Sequence, residues 1–170
     1  MSTGSRVPCV PRVSPRARQV WSWARAALAG LAELGVTSAT VVVRDPARAD
    51  AARACAAAVS VKLEVVAWAS ADFPALVAGS SVLVNTAPPD AVSPSELGGT
   101  PFLLDVIYHP WPTPLATAVS SHGGRVVTGL DMLLHQAFGQ VEQFTGKSAP
   151  RQAMRDALHT ATGGILPLPL

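Results

Sequence analysis

A chain of 170 residues can bury the core of one domain, and its composition, 49% apolar but only 5% aromatic, suits helices packed on a sheet better than a disulfide scaffold. Two cysteines, Cys9 and Cys55, give neither a metal-ligand spacing nor a disulfide framework, so a reducing, cytoplasmic setting is expected. The formal charge of +2 comes from the first 25 residues, which hold five arginines and no acid; the remainder is net acidic.

Residues 1–23 read as an atypical basic leader. Pro8, Pro11 and Pro15 break any helix that would line up Arg6, Arg12, Arg16 and Arg18, and no aromatic interleaves them before Trp21. Nucleic acid is therefore not an expected partner. No apolar core follows a basic start, so the segment is not a secretory signal, and no uncharged apolar run long enough for a membrane span occurs.

From residue 24 the pattern is regular. Ala24, Ala27, Leu28, Leu31 and Leu34 recur at helical spacing, and Gly35 closes that helix. Residues 39–44 form a β-branched apolar run of the kind buried on both faces of a parallel sheet. Asp45 and Pro46 suit the cap and first position of a helix running to about residue 59. Strands are expected at 63–67, 81–85, 102–107 and 125–128, with a short helix at 73–78. A helix capped by Thr113 covers 114–122, a long one covers 130–144 and stops at Gly146, and a last one follows Ser148 to about residue 159. The 161–170 tail ends in alternating leucine and proline and cannot be helical.

Strands alternating with helices across short turns imply an α/β, Rossmann-like, doubly wound parallel sheet with helices on both faces, over residues 24–160. Ligands in that architecture sit beyond the carboxyl ends of the strands. Arg44 ends the first of these strands, and Arg48 follows one turn later; a guanidinium there suits the 2′-phosphate of NADP, although a solvated strand-end arginine, or one paired with Asp45, reads equally well. Asn85 and Thr86 suit a ribose or amide, but more often such residues cap a turn. Tyr108 follows the 102–107 strand and precedes a proline-rich stretch that would hold its phenol in place, as a donor to a hydroxylated substrate. Asp105, inside an apolar strand, needs hydrogen-bond partners and reads as structural. Gln136 is either an amide on the inner face of the long helix or an exposed neighbour of His135. The four histidines show no metal-ligand spacing, so no metal site and no catalytic histidine is assigned.

The segments ARAALAGLAELG, VVVRDPARA, VNTAPP, DVIYHPWPTPLATA and GLDMLLHQAFGQVEQFTG together resemble the NADP-binding half of shikimate dehydrogenase, over residues 24 to about 158. The resemblance implies NADPH-dependent reduction of 3-dehydroshikimate to shikimate. It matches Tyr108 and Gln136 to substrate-contacting positions, and Val43, Arg44, Asp45 and Arg48 to the segment around the adenosine 2′-phosphate. Val106 and Gly129 match positions lining the nicotinamide pocket. The family's turn, Gly-Ala-Gly-Gly-Thr-Ala-Arg-Ala, survives only as Ala24-Arg25-Ala26. Gln19, Val20, Trp21, Ser22 and Trp23 stand where glycines give the backbone access to a pyrophosphate. The first strand is degenerate too, because proline cannot serve a central ladder.

No lysine precedes Lys62, so the family's catalytic lysine–aspartate pair finds no match and no catalytic residue is assigned. The expectation is a truncated shikimate dehydrogenase-like protein, inactive alone. The alternatives are a non-catalytic interaction module, pairing with another protein or a second copy through an exposed sheet edge, and a reductase with a remodelled turn.

Overall fold

The computed structural model describes residues 22–97 and 99–163. The degenerate first strand, residues 19–21 of the lost glycine turn and the tail from residue 164 lie outside the described residues, while Ser22 and Trp23, expected in that turn, belong to the first helix. The chain divides into two compact units, one ending at Asp72 and one starting at Phe73.

The first unit runs α1 (Ser22–Glu33), β1 (Ser38–Val43), a 3₁₀ turn (Pro46–Arg48), α2 (Asp50–Ala58), β2 (Lys62–Ala67) and a second 3₁₀ turn (Trp68–Ser70). β1 and β2 are parallel, in register from Ser38 opposite Lys62 to Val43 opposite Ala67, with α2 as the crossover. Small residues let α1 and α2 approach closely: Leu28 packs with Ala52, Cys55, Ala56 and Val61, and the Cys55 thiol lies 3.6 Å from the Arg25 carbonyl. β1 is not buried throughout, because Ser38 and Thr40 are exposed and only Val43 is fully covered.

Both helices of this unit close alike. Gly35 has φ +86°, with Val36 N donating to Leu31 O and Gly35 N to Ala32 O, so paired bonds satisfy the last carbonyls of α1. α2 repeats the pattern with Ser60 in the left-handed position at φ +59°. The start of α2 departs from expectation. Asp45 accepts from Ala47 N at 3.0 Å and caps the 3₁₀ turn, and the α-helix begins only at Asp50. A carboxylate bonded two residues ahead closes a tight turn rather than an α-helical one.

The second unit runs α3 (Phe73–Ala78), β3 (Leu83–Asn85), a 3₁₀ turn (Pro89–Ala91), α4 (Pro94–Leu97), β4 (Phe102–Asp105), α5 (Pro114–Ser121), β5 (Arg125–Thr128), α6 (Gly129–Thr145) and α7 (Arg151–Ala161). Its three strands form a parallel sheet in the order β3–β4–β5. Leu103 of β4 and Val119 of α5 are fully buried. Leu130, Leu134 and Phe138 of α6 pack against Ala149 and against Met154 and Leu158 of α7, one helical face against another. The two parallel sheets and their crossover helices make an α/β fold of the expected kind. Among the described residues no helix is long and apolar enough to cross a membrane.

Candidate functional site

The carboxyl ends of β3, β4 and β5 place most of the residues selected from the sequence. β4 alternates buried Leu103 and Asp105 with half-buried Phe102 and Leu104. Pleat alternation thus turns Asp105 inward, where it is 0% exposed. A buried carboxylate is tolerated only when hydrogen-bonded. Asp105 Oδ1 accepts from Asn85 Nδ2 at 3.1 Å and from Ile107 N at 3.2 Å, and Oδ2 accepts from the Thr113 hydroxyl at 2.7 Å. The Thr113 oxygen in turn accepts from Ala116 N at 3.0 Å, capping α5. Asn85 completes the set by accepting from Ala87 N at 3.1 Å. The structural reading of Asp105 is met, through two side chains as well as the backbone. The Asn85 amide is engaged in this network and its turn, while Thr86 beside it is exposed.

At the neighbouring strand end, β5 passes directly into α6. Thr128 and Asp131 form a reciprocal cap: Asp131 N donates to Thr128 Oγ1 at 3.3 Å, and Thr128 N donates to Asp131 Oδ2 at 2.9 Å. Asp131 Oδ2 also accepts from the Thr128 hydroxyl, whereas Oδ1 is buried without a hydrogen-bond partner. Gly129, the first residue of α6, has no room for a side chain. A Cβ there would overlap the Val106 carbonyl and come within 3.0 Å of Tyr108 Cδ1. Val106 and Gly129, which the resemblance matches to one pocket, therefore meet Tyr108 at one place, with the Tyr108 ring beside the start of α6 and 45% exposed. Gln136 is exposed and lies seven residues beyond Gly129, so α-helical geometry returns it to the same side of α6, roughly 10 Å along the axis.

In the first unit the end of β1 holds the other group. Val43 is buried and Arg44 is exposed. Asp45 is engaged with the Ala47 amide, and Arg48 is an exposed residue ending the 3₁₀ turn. With the Asp45 carboxylate held by the turn, the exposed Arg44 guanidinium at a strand end suits an anionic group. Among the described residues no group of three or more His, Cys, Asp or Glu side chains is placed to hold a metal ion.

Sequence reasoning missed the double role of Thr113 and the Thr128–Asp131 cap. The Thr-x-x-Asp pattern before an apolar run was the available signal for the second. The first depends on a contact across eight positions that no local pattern announces.

Residues 129–159 match the sequence model of a family described as the shikimate 5′-dehydrogenase C-terminal domain. The NADP(+) shikimate dehydrogenase of Methylobacterium radiotolerans is 40% identical over 130 residues, covering 72% of this chain and 44% of that protein. The corresponding protein of Rhodospirillum rubrum is 36% identical over 149 residues, 83% of this chain and 51% of its own. Among solved structures, Mycobacterium tuberculosis shikimate dehydrogenase superposes with a TM-score of 0.77 at 51% identity, covering 81% of this chain and 53% of the other. A quinate dehydrogenase from Corynebacterium glutamicum in complex with NAD gives a TM-score of 0.70 at 26% identity, over 80% of this chain and 51% of the other. The chain spans about half the length of the relatives it matches.

Proposed function

On the premise that this chain is a relative of the shikimate dehydrogenases through their C-terminal half, we propose that residues 24–160 form an NADP-binding domain serving the interconversion of 3-dehydroshikimate and shikimate. The observation that carries this reading is the meeting of Val106, Tyr108 and Gly129 at the ends of β4 and β5, the three positions that the resemblance gives to the nicotinamide and substrate. The Arg44 and Arg48 guanidinium groups, with the Asp45 turn and buried Val43, serve the 2′-phosphate. Asn85 and Thr86, at the end of β3, are assigned to the cofactor as well. Bound NADPH supplies the hydride. Tyr108 and Gln136 hold the substrate through its polar groups, and the absence of a side chain at Gly129 lets α6 begin against the Val106 carbonyl and the Tyr108 ring.

Proton transfer needs a group outside this set. Asp105 is closed in by its hydrogen bonds, and the two lysines, Lys62 on β2 and Lys147 after α6, match neither member of the family's pair. A missing acid–base group typically costs about 10²–10⁴ in rate. The chain by itself is therefore expected to oxidise no shikimate at a measurable rate.

Calorimetric titration of the folded chain with NADPH and NADH tests the reading, with quinate and shikimate both offered because the quinate relative is seen with NAD. Micromolar NADPH binding with clear preference over NADH supports it. No nucleotide binding by a chain that melts cooperatively overturns it. That outcome would favour a second reading, an interaction module. The outer face of α6 supports this one, because Leu133 and the 84%-exposed Phe144 are large apolar side chains open to solvent.

A further inference from the structure

We propose that Asp105 is a positioning residue for Tyr108, its carboxylate closing the loop that carries the phenol; the inference deepens the reading of Tyr108 as a substrate contact and rests on it. The two oxygens of one buried carboxylate grip the two ends of one loop. Oδ1 takes Ile107 N at 3.2 Å, immediately before Tyr108, and Oδ2 takes the Thr113 hydroxyl at 2.7 Å, where the chain enters α5. Asn85 Nδ2 also donates to Oδ1, from β3 and outside the loop. Thr113 is itself tied to α5 through Ala116 N, so the loop is anchored to two strands and a helix through a single side chain. Between the grips, Pro110 and Pro112 limit φ, and Tyr108 rests on Gly129. Tyr108 is itself exposed, and its own element ended at Asp105, so the sheet ladder does not hold the ring. The clamp does.

A purely structural network would join β3, β4 and α5 without directing Tyr108. The two roles separate because Tyr108 is the chain's only tyrosine, so its ring signals are unambiguous in NMR spectra of the intact protein. In the unmodified chain, the clamp requires a slowly exchanging Ile107 amide and a nuclear Overhauser contact between the Tyr108 ring and Gly129 Hα. Thr113→Val, which keeps the shape and removes the donor, is expected to abolish that contact and shift the ring signals. Thr113→Ser, which restores the hydroxyl, is expected to retain them. Asn85→Ala removes a donor that does not touch the loop and is expected to lower the melting temperature while keeping the Tyr108 contact.

An unchanged contact in folded Thr113→Val overturns the proposal, as does a fast-exchanging Ile107 amide in the unmodified chain, a measurement that needs no variant to fold. Loss of the contact in Asn85→Ala to the same degree as in Thr113→Val overturns it too, since the network would then act as one undirected unit. All these readouts are independent of nucleotide. A failed NADPH titration with the clamp intact therefore rejects the functional reading alone.

Discussion

Two residues show how a single backbone position sets what the chain tolerates. Gly129 begins α6 with its Cα against the Val106 carbonyl and the Tyr108 ring, so the first added carbon has nowhere to go. Overpacking of this kind costs about 1–3 kcal/mol. Gly129→Ala is expected to lower unfolding stability in urea by at least about 2 kcal/mol, at the upper part of that range because the obstacle is backbone. It should also displace the Tyr108 ring, visible as a change in tyrosine absorbance. Ser60 is the opposite case. It holds the left-handed closing position of α2 that glycine holds in α1, and its side chain is exposed. Ser60→Gly is expected to stabilise the chain by about 0.5–1 kcal/mol, read as a higher urea midpoint at constant m-value. The need for glycine at residue 35 was legible from its place after an amphipathic run. The need at residue 129 was not, because it comes from Val106 and Tyr108, just past β4 and twenty-odd positions earlier in the chain.

At the scale of elements, local chemistry decided where helices begin. Thr113 before Pro114, and Thr128 three residues before Asp131, are capping signals readable without tertiary information, and both side chains cap as that chemistry requires. The same logic misplaced α2, because Asp45 and Pro46 serve equally for a single 3₁₀ turn, and only the later backbone shows that the turn is not continued. The short helix α4 carries too few residues to show a period. The pairing of α6 with α7 is an amphipathic match centred on Phe138, which is 3% exposed. The Arg151 guanidinium sits 5.2 Å above its ring, and the His135 ring meets it edge-on at 5.4 Å. Arg151 also reaches Glu142 at 3.7 Å, an exposed pair of small consequence. Phe138→Ala is expected to cost about 3–5 kcal/mol. Amide exchange should then show α7 losing protection while the β1–β2 unit keeps its own. Equal loss in both units would mean that they unfold together.

For the whole molecule, the question is what a nucleotide would meet. The proposed reading places the discrimination between NADPH and NADH on Arg44, an exposed guanidinium whose neighbouring carboxylate is held by its own turn. A hydrogen bond to a charged group contributes about 1.5–3 kcal/mol, so Arg44→Ala is expected to weaken NADPH by about tenfold or more. NADH affinity should stay unchanged; equal weakening of both nucleotides would remove Arg44 from 2′-phosphate recognition. The resemblance to shikimate dehydrogenase was itself legible, since a proline-punctuated loop after a strand and a helix opening Gly-Leu-Asp-Met-Leu are local strings.

What the sequence determined by itself is therefore the alternation of strands and longer helices, most of their ends, the resemblance to a family and the candidate residues. All of these rest on periodicity, capping and short motifs, which act over a few positions. The tertiary structure alone decided that Asp105 ties Asn85, Ile107 and Thr113 into one buried network. It decided likewise that Gly129 must be bare because Val106 and Tyr108 fill its side-chain space. The physical reason is common to both. Burial and excluded volume are set by whatever packs alongside, and parallel pairing brings together strand ends that the chain separates by a whole crossover helix.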